Sequence, residues 1–101
     1  MLSSIKRIHF IGIGGIGMSG IAELLFNQNF KITGSDLSES SNTDRLKKLD
    51  IPISIGHDIE NISSAEIVVY SDAIPKDNVE LIEATNRNIQ CYSRGQIISQ
   101  L

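Results

Sequence analysis

The sequence predicts an open, doubly wound α/β domain: a parallel sheet of about five strands with helices on both faces. Three observations predict it. Short apolar, β-rich runs alternate with segments whose apolar residues recur every three or four positions, the pattern of parallel strands joined by helical crossovers. The first strand-to-helix junction reads Gly12-Ile13-Gly14-Gly15-Ile16-Gly17, a G-x-G-x-x-G. An acidic residue, Asp36, stands just beyond the second predicted strand, about twenty positions further on.

The elements follow in order. Residues 8–13 are nearly all apolar, as a strand covered on both faces reads. From Ile16 the apolar positions Met18, Ile21, Ala22, Leu25 and Phe26 share one helical face, with Glu23 and Asn27 left for water, and the helix ends near Asn27. Residues 30–35 form the second strand, between Asn29 and the polar run 36–42. A short helix over 43–49 turns Leu46 and Leu49 inward, with Ser41 or Asn42 as its cap. Residues 51–55 make a weak third strand that Gly56-His57-Asp58 ends, and 58–64 holds at most one helical turn. The fourth strand is 67–70 and the loop after it 71–76. Asp77 and Glu80 have the spacing of a capping box for a helix to about Asn88, with Val79 and Ile82 as apolar positions and Glu83/Arg87 as an i, i+4 pair. Residues 90–92 are the fifth strand, and 94–101 begin another helix. No C-cap signal precedes Leu101, so the natural chain is expected to continue.

Bulk properties narrow the partners. A length of 101 residues accommodates one domain with one modest core, and 41% hydrophobic with 21% charged residues is ordinary for a globular protein. The net charge of -3 argues against nucleic acid or an anionic membrane surface, so a bound anion is expected to be held by backbone amides. Cys91 is the single cysteine, which rules out an intrachain disulfide or a thiolate cluster and fits a reducing cytoplasm. Residues 1–7 lead into a glycine-broken strand rather than the apolar run of a signal peptide. No stretch approaches the ~20 apolar residues that span a bilayer.

The glycine loop carries the chemistry. Its glycines allow a tight turn, a close approach of backbone to a diphosphate, and close packing of helix on strand, which is the Rossmann-like fingerprint. Amides from Gly15 to Met18 would donate to phosphate oxygens, assisted by the positive end of the helix dipole. Asp36 takes ribose hydroxyls or, alternatively, caps the turn after its strand. No Lys-Ser or Lys-Thr follows Gly17, so the loop is not a triphosphate P-loop. There is no nucleophile beside a base, no carboxylate pair at a useful spacing, and two histidines are too few for a metal site. An NAD-binding regulatory or dehydrogenase domain shares these features and stands as the alternative. A protein-interaction module whose glycines only pack helix on sheet is a third reading.

The run His9-Phe10-Ile11-Gly12-Ile13-Gly14-Gly15-Ile16-Gly17-Met18-Ser19-Gly20-Ile21-Ala22-Glu23 goes beyond that fingerprint. Gly34-Ser35-Asp36, Ile55-Gly56-His57, Val69-Tyr70-Ser71-Asp72-Ala73-Ile74, Asn78-Val79-Glu80 and Ser93-Arg94-Gly95 follow it in order. Together, over residues 8–101, they closely resemble the start of the L-alanine-adding branch of the Mur ligase family, which acts on UDP-N-acetylmuramate in bacterial peptidoglycan synthesis.

The resemblance implies a three-domain cytoplasmic enzyme whose N-terminal domain, here residues 1–101, holds the UDP part of UDP-N-acetylmuramate. ATP and Mg2+ would bind a central domain and L-alanine would be bound with help from a C-terminal one, both absent here. ATP would phosphorylate the lactyl carboxylate and the amine of L-alanine would attack the acyl phosphate. This chain would bind without catalysing, and no cofactor or metal is expected in it. The diphosphate would lie over Gly14, Gly15, Ile16, Gly17, Met18 and Ser19 and meet Ser71, Asp72, Ala73 and Ile74. Asp36, with Ser35 or Ser38, would face the ribose or uracil. His57 would sit at the edge of the nucleoside pocket, unless it is an exposed turn residue. His9 is expected to be a satisfied packing histidine, Cys91 buried and inert, and Arg94 either near a phosphate or solvated. Asp72 stands where the family more often has a small hydroxyl residue, and Gly95 where alanine is commoner.

Overall fold

Alternation along the first strand decides the layering of the molecule, a computed structural model that describes residues 2–101. In β1 (Arg7–Ile11), Ile8 and Phe10 point to one side of the sheet, and His9 and Ile11 to the other. β2 (Lys31–Asp36), β3 (Ile53–Ile55), β4 (Ile67–Tyr70) and β5 (Gln90–Ser93) join it in the order β3-β2-β1-β4-β5, every pair parallel. The chain steps outward from β1 to β3, then returns to β4 on the other side. The strand order therefore reverses between β1 and β4, where open α/β sheets place their ligands.

Helices cover both faces, as the alternating pattern predicts. On the Phe10 face, α1 (Met18–Asn27), α2 (Ser41–Lys48) and α4 (Arg94–Ile98) bury Met18, Ile21, Ala22, Leu25, Leu46 and Ile97. On the His9 face, α3 (Val79–Asn86) and a 3-10 turn (Ile59–Ile62) enclose a smaller cluster of Ile11, Ile62, Val68 and Ala84. The first three helices end alike. Asn29, Asp50 and Asn88 take left-handed φ of 74°, 67° and 60°, a conformation that short polar side chains tolerate. The next amide then reaches back into the last turn: Phe30 to Leu25 O, Ile51 to Leu46 O and Ile89 to Ala84 O. No helix among the described residues is long and apolar enough to cross a membrane.

Several boundaries differ from the sequence reading, each for a local reason. β1 stops at Ile11 because Gly12 turns to a φ of +79°, and the amides of Gly12 and Ile13 both donate to Ser35 O at 2.9 and 3.0 Å. α1 begins at Met18, not Ile16, whose side chain is 97% exposed at the tip of the loop. Ser40, rather than Ser41 or Asn42, caps α2 through a reciprocal box with Thr43. β3 is shortened because Ile51 is used to close α2. α4 ends at Ile98 and its cap is Ser93, in a box with Gln96.

The largest correction concerns α3. Its cap is Asn78, whose Oδ1 accepts from the amides of Glu80 and Leu81, and not Asp77. Val79 and Ile82 face solvent, while Glu80 and Ala84, one helical turn apart, face the sheet. The expected Glu83–Arg87 pair is present at 2.7 Å on the outer surface.

Candidate functional site

The glycine loop between β1 and α1 stands at the carboxyl edge of the sheet, beside the loop that follows β4. Ser71 N donates to Ile11 O at 3.0 Å, which ties the two loops together at the reversal of strand order. Gly17 precedes α1 with a φ of +77° and no side chain caps the helix. Within the loop, Gly15 N donates to Gly12 O and Met18 N to Gly15 O, at 3.0 and 3.1 Å. The amides of Ile16 and Gly17 have no protein acceptor among the described residues, so these two, rather than all from Gly15 to Met18, are ready for an anion. The Ile16 side chain stands in solvent, and that of Met18 is wholly buried in the core.

Gly14 is tied to the end of the second strand through a side chain. Its N–H donates to Asp36 Oδ2 at 2.8 Å, and a Cβ there would meet Thr43 Cγ2 at 2.9 Å. Asp36 Oδ1 accepts from Leu37 N at 2.8 Å. The carboxylate thus braces the loop and its own turn, and each oxygen retains a lone pair for a hydroxyl donor. Ser19 is buried with its hydroxyl 3.3 Å from Arg45 Nη2. Ser38 is exposed and lines neither cavity of the site.

Two adjoining cavities share Gly15, Ser71 and Ala73. One, of about 260 Å³, reaches Asp36, Leu37, His57, Ile74 and Pro75. The other, of about 440 Å³, reaches Ile16, Asp72 and Arg94. The first is an apolar slot with a few polar groups, and the second is open and charged. Arg94 packs its stem over Gly17, where an added Cβ would lie 3.1 Å from Arg94 Cδ. Asp72 Oδ2 is 4.0 Å from Arg94 Nε and mostly exposed, so its charge is turned toward a cation rather than toward the loop amides. Ser71 Oγ accepts from Ala73 N at 3.2 Å and shapes the β4 loop. A further cavity of about 350 Å³ lies at the opposite edge of the sheet beside Phe26, Phe30 and Lys31, away from the glycine loop.

Beneath the first cavity is a buried polar cluster. Glu80, completely buried, accepts on Oε1 from His9 Nε2 at 2.7 Å and Ser35 Oγ at 2.8 Å. Its Oε2 accepts from Asn61 Nδ2 at 2.9 Å, Asp58 N at 3.1 Å and His57 Nδ1 at 3.2 Å. Burial alone would raise the carboxyl pKa. The hydrogen bonds from His9, Asn61 and Ser35 and the charge of His9 outweigh it and hold Glu80 at about 2, against an ordinary 4.5. His9 also meets Thr33 Oγ1 at 2.8 Å, so it is a satisfied packing histidine. His57 is not an exposed turn residue: its side chain is 9% exposed and its Nε2 is buried with no protein partner. Cys91 is half-buried, bonds Ile89 O at 3.4 Å, and burial pushes its thiol pKa up.

A family model for the Mur ligase family, catalytic domain, matches residues 7–101. The chain belongs to the Mur ligase family. It is 52% identical over 97 residues to the UDP-N-acetylmuramate--L-alanine ligase of Aquifex aeolicus, covering 96% of this chain and 21% of that protein. The corresponding ligase of a Wolbachia strain is 52% identical over 102 residues, covering 99% and 19%. The crystal structure of UDP-N-acetylmuramate-alanine ligase MurC from Thermotoga maritima superposes with a TM-score of 0.89 at 34% identity, over 93% of this chain and 22% of that one. This Mur ligase chain therefore spans about a fifth of the length of the relatives it matches.

Two residues of this Mur ligase chain have partners other than those their sequence positions suggest. The spacing of Glu80 from Asp77 suggests a capping box, but its spacing from Ala84 puts both on the buried helical face. Ser35, one of the two serines expected to face the ribose or uracil with Asp36, is fully buried and its hydroxyl serves Glu80 and His57.

Proposed function

We propose that this Mur ligase chain is a single domain that holds the UDP part of UDP-N-acetylmuramate. It serves a longer, cytoplasmic ligase that joins the sugar's lactyl carboxyl to L-alanine in peptidoglycan synthesis, with ATP and Mg2+ bound by segments outside this chain. The observation that carries the reading is the pair of adjoining cavities about the glycine loop. An apolar slot containing Asp36 and His57 suits a nucleoside, and an open cavity lined by Ile16 and Arg94, beside the unbonded amides of Ile16 and Gly17, suits a diphosphate. The names of the relatives supply the ligand and do not favour the NAD alternative.

The residues present do not fit ATP with its metal. No lysine and hydroxyl follow the glycines, and no three His, Cys, Asp or Glu side chains among the described residues are grouped to hold a cation. The work of this chain is to bind and orient: loop amides and Arg94 at the diphosphate, Asp36 at a ribose hydroxyl, Leu37, Ile74 and Pro75 along the base. Calorimetric titration tests it. UDP and UDP-N-acetylmuramate are expected to saturate the chain, and NAD to bind far more weakly. Arg94→Ala should weaken UDP about tenfold, the loss of one charge-assisted hydrogen bond, and leave uridine unchanged. Tight NAD binding without a response to UDP would sink the proposal.

A further inference from the structure

The hydrogens of the Glu80 cluster can be assigned one by one. Glu80 Oε2 faces Asp58 N and Asn61 Nδ2, groups that only donate. On the other oxygen, Ser35 Oγ lies 2.8 Å from Oε1 and gives its single hydrogen there. Ser35 Oγ therefore meets His57 Nδ1, 2.9 Å away, with lone pairs alone. The other neighbour of Nδ1 is Glu80 Oε2 at 3.2 Å, also an acceptor. Nδ1 must carry the hydrogen, and in the neutral ring Nε2 is then a bare lone pair. That atom is buried without a protein partner, and the ring it belongs to lines the slot with Asp36, Leu37 and Ile74. A buried acceptor without a donor is costly, and a donor on a ligand relieves the cost.

We propose that Glu80 is a positioning residue for the nucleotide: with Ser35 it holds His57 in the Nδ1–H tautomer, so that Nε2 accepts a hydrogen bond from the nucleoside. The inference rests on the nucleotide-binding reading above. The donor is the imide N–H of the base or a ribose hydroxyl. Where the imide is the donor, a base that presents its own lone pair at that edge, as cytosine does, is disfavoured. Neither Glu80 nor Ser35 need touch the ligand: both act through the ring.

Long-range proton–nitrogen NMR on the chain with isotope-labelled histidine, at mildly alkaline pH, reads the tautomer directly. The Nδ1–H form is expected for His57, with the Nε2 resonance shifting when UDP is added. In Glu80→Gln the amide carbonyl goes to Asp58 and Asn61, and its NH2 group turns to Ser35 and to His9 Nε2, which then presents a lone pair while His9 Nδ1 gives its hydrogen to Thr33. The Ser35 hydroxyl hydrogen is then free for Nδ1, so His57 moves to the Nε2–H form and UDP affinity falls about tenfold. Ser35→Ala keeps the Nδ1–H form, because Glu80 Oε2 still accepts from it. An Nε2–H tautomer in the unsubstituted chain overturns the proposal. So does a Glu80→Gln chain that switches tautomer with unchanged affinity, or a UDP complex in which Nε2 does not respond. Loss of the Nε2 shift with CDP assigns the imide as donor, and loss with 2′-deoxyuridine diphosphate assigns the ribose. Where Glu80→Gln does not fold, the tautomer of the unsubstituted chain and its Nε2 response to UDP decide. Failure of UDP to bind at all defeats the nucleotide reading instead, and the tautomer of the free chain still reports on Glu80.

Discussion

The two faces of the sheet are filled by opposite chemistries. Against α1, α2 and α4, the sheet buries Phe10, Met18, Leu25, Leu46 and Ile97 in one apolar layer. Against α3, the apolar cluster is small, and the space beside the carboxyl edge is occupied by His9, Ser35 and Glu80. An apolar layer needs volume and shape, and many residue combinations supply them. A buried polar cluster needs every donor matched to an acceptor, so its stability depends on protonation and on each partner at once. Only the second kind of face can pass its order to a neighbouring ligand slot through hydrogen-bond direction.

The apolar face should show the larger effect on truncation. Phe10→Ala removes a fully buried ring and is expected to cost about 3–5 kcal/mol in denaturant unfolding, with similar loss at neutral and acid pH. The polar face should instead reveal itself through acid. The Glu80 carboxyl is held at about 2 in the folded chain against an ordinary 4.5. Its contribution is therefore complete above pH 4.5 and lost as pH falls toward 2, a change on the order of a few kcal/mol. Stability measured across that window should fall steeply in the unsubstituted chain and in Phe10→Ala, and less steeply in Glu80→Gln. Parallel profiles for all three would mean that the α3 face is not set apart by its ionisation.

The apolar face was legible in the sequence and the polar face, His9 apart, was not, for a physical reason. Periodicity reports where water is excluded by hydrocarbon, so Met18, Ile21, Ala22 and Leu25 identify α1 and its inner side directly. The same rule applied to α3 chose Val79 and Ile82, which face solvent, because a Glu on the inner side carries no hydrophobic signal. Satisfaction of a buried carboxylate comes from groups 19 to 71 positions away along the chain, from Asn61 to His9, and no local pattern records them. The glycine loop and Asp36 were legible because turn geometry is local. Which loop amides stay free was not, since that depends on the Gly12 to Gly15 turn closing on itself.

The smallest effect asks how far the polar face depends on one helix end. Asn78 Oδ1 accepts from Glu80 N at 2.9 Å and Leu81 N at 3.2 Å, so the cap fixes the very turn that aims Glu80 at the sheet. Asn78→Ala should cost about 1 kcal/mol, while Asn78→Asp, which keeps the acceptor, should cost much less. Asp77→Ala should be nearly neutral, since Asp77 is exposed and does not cap the helix. Amide hydrogen exchange separates a local loss from a global one. Fraying of the first α3 turn should speed exchange at the start of α3 and around Asp58, whose amide bonds Glu80, and leave α1 and α2 unchanged. Equal acceleration on both faces would show that the cap supports the whole fold and that the two faces are not energetically separable.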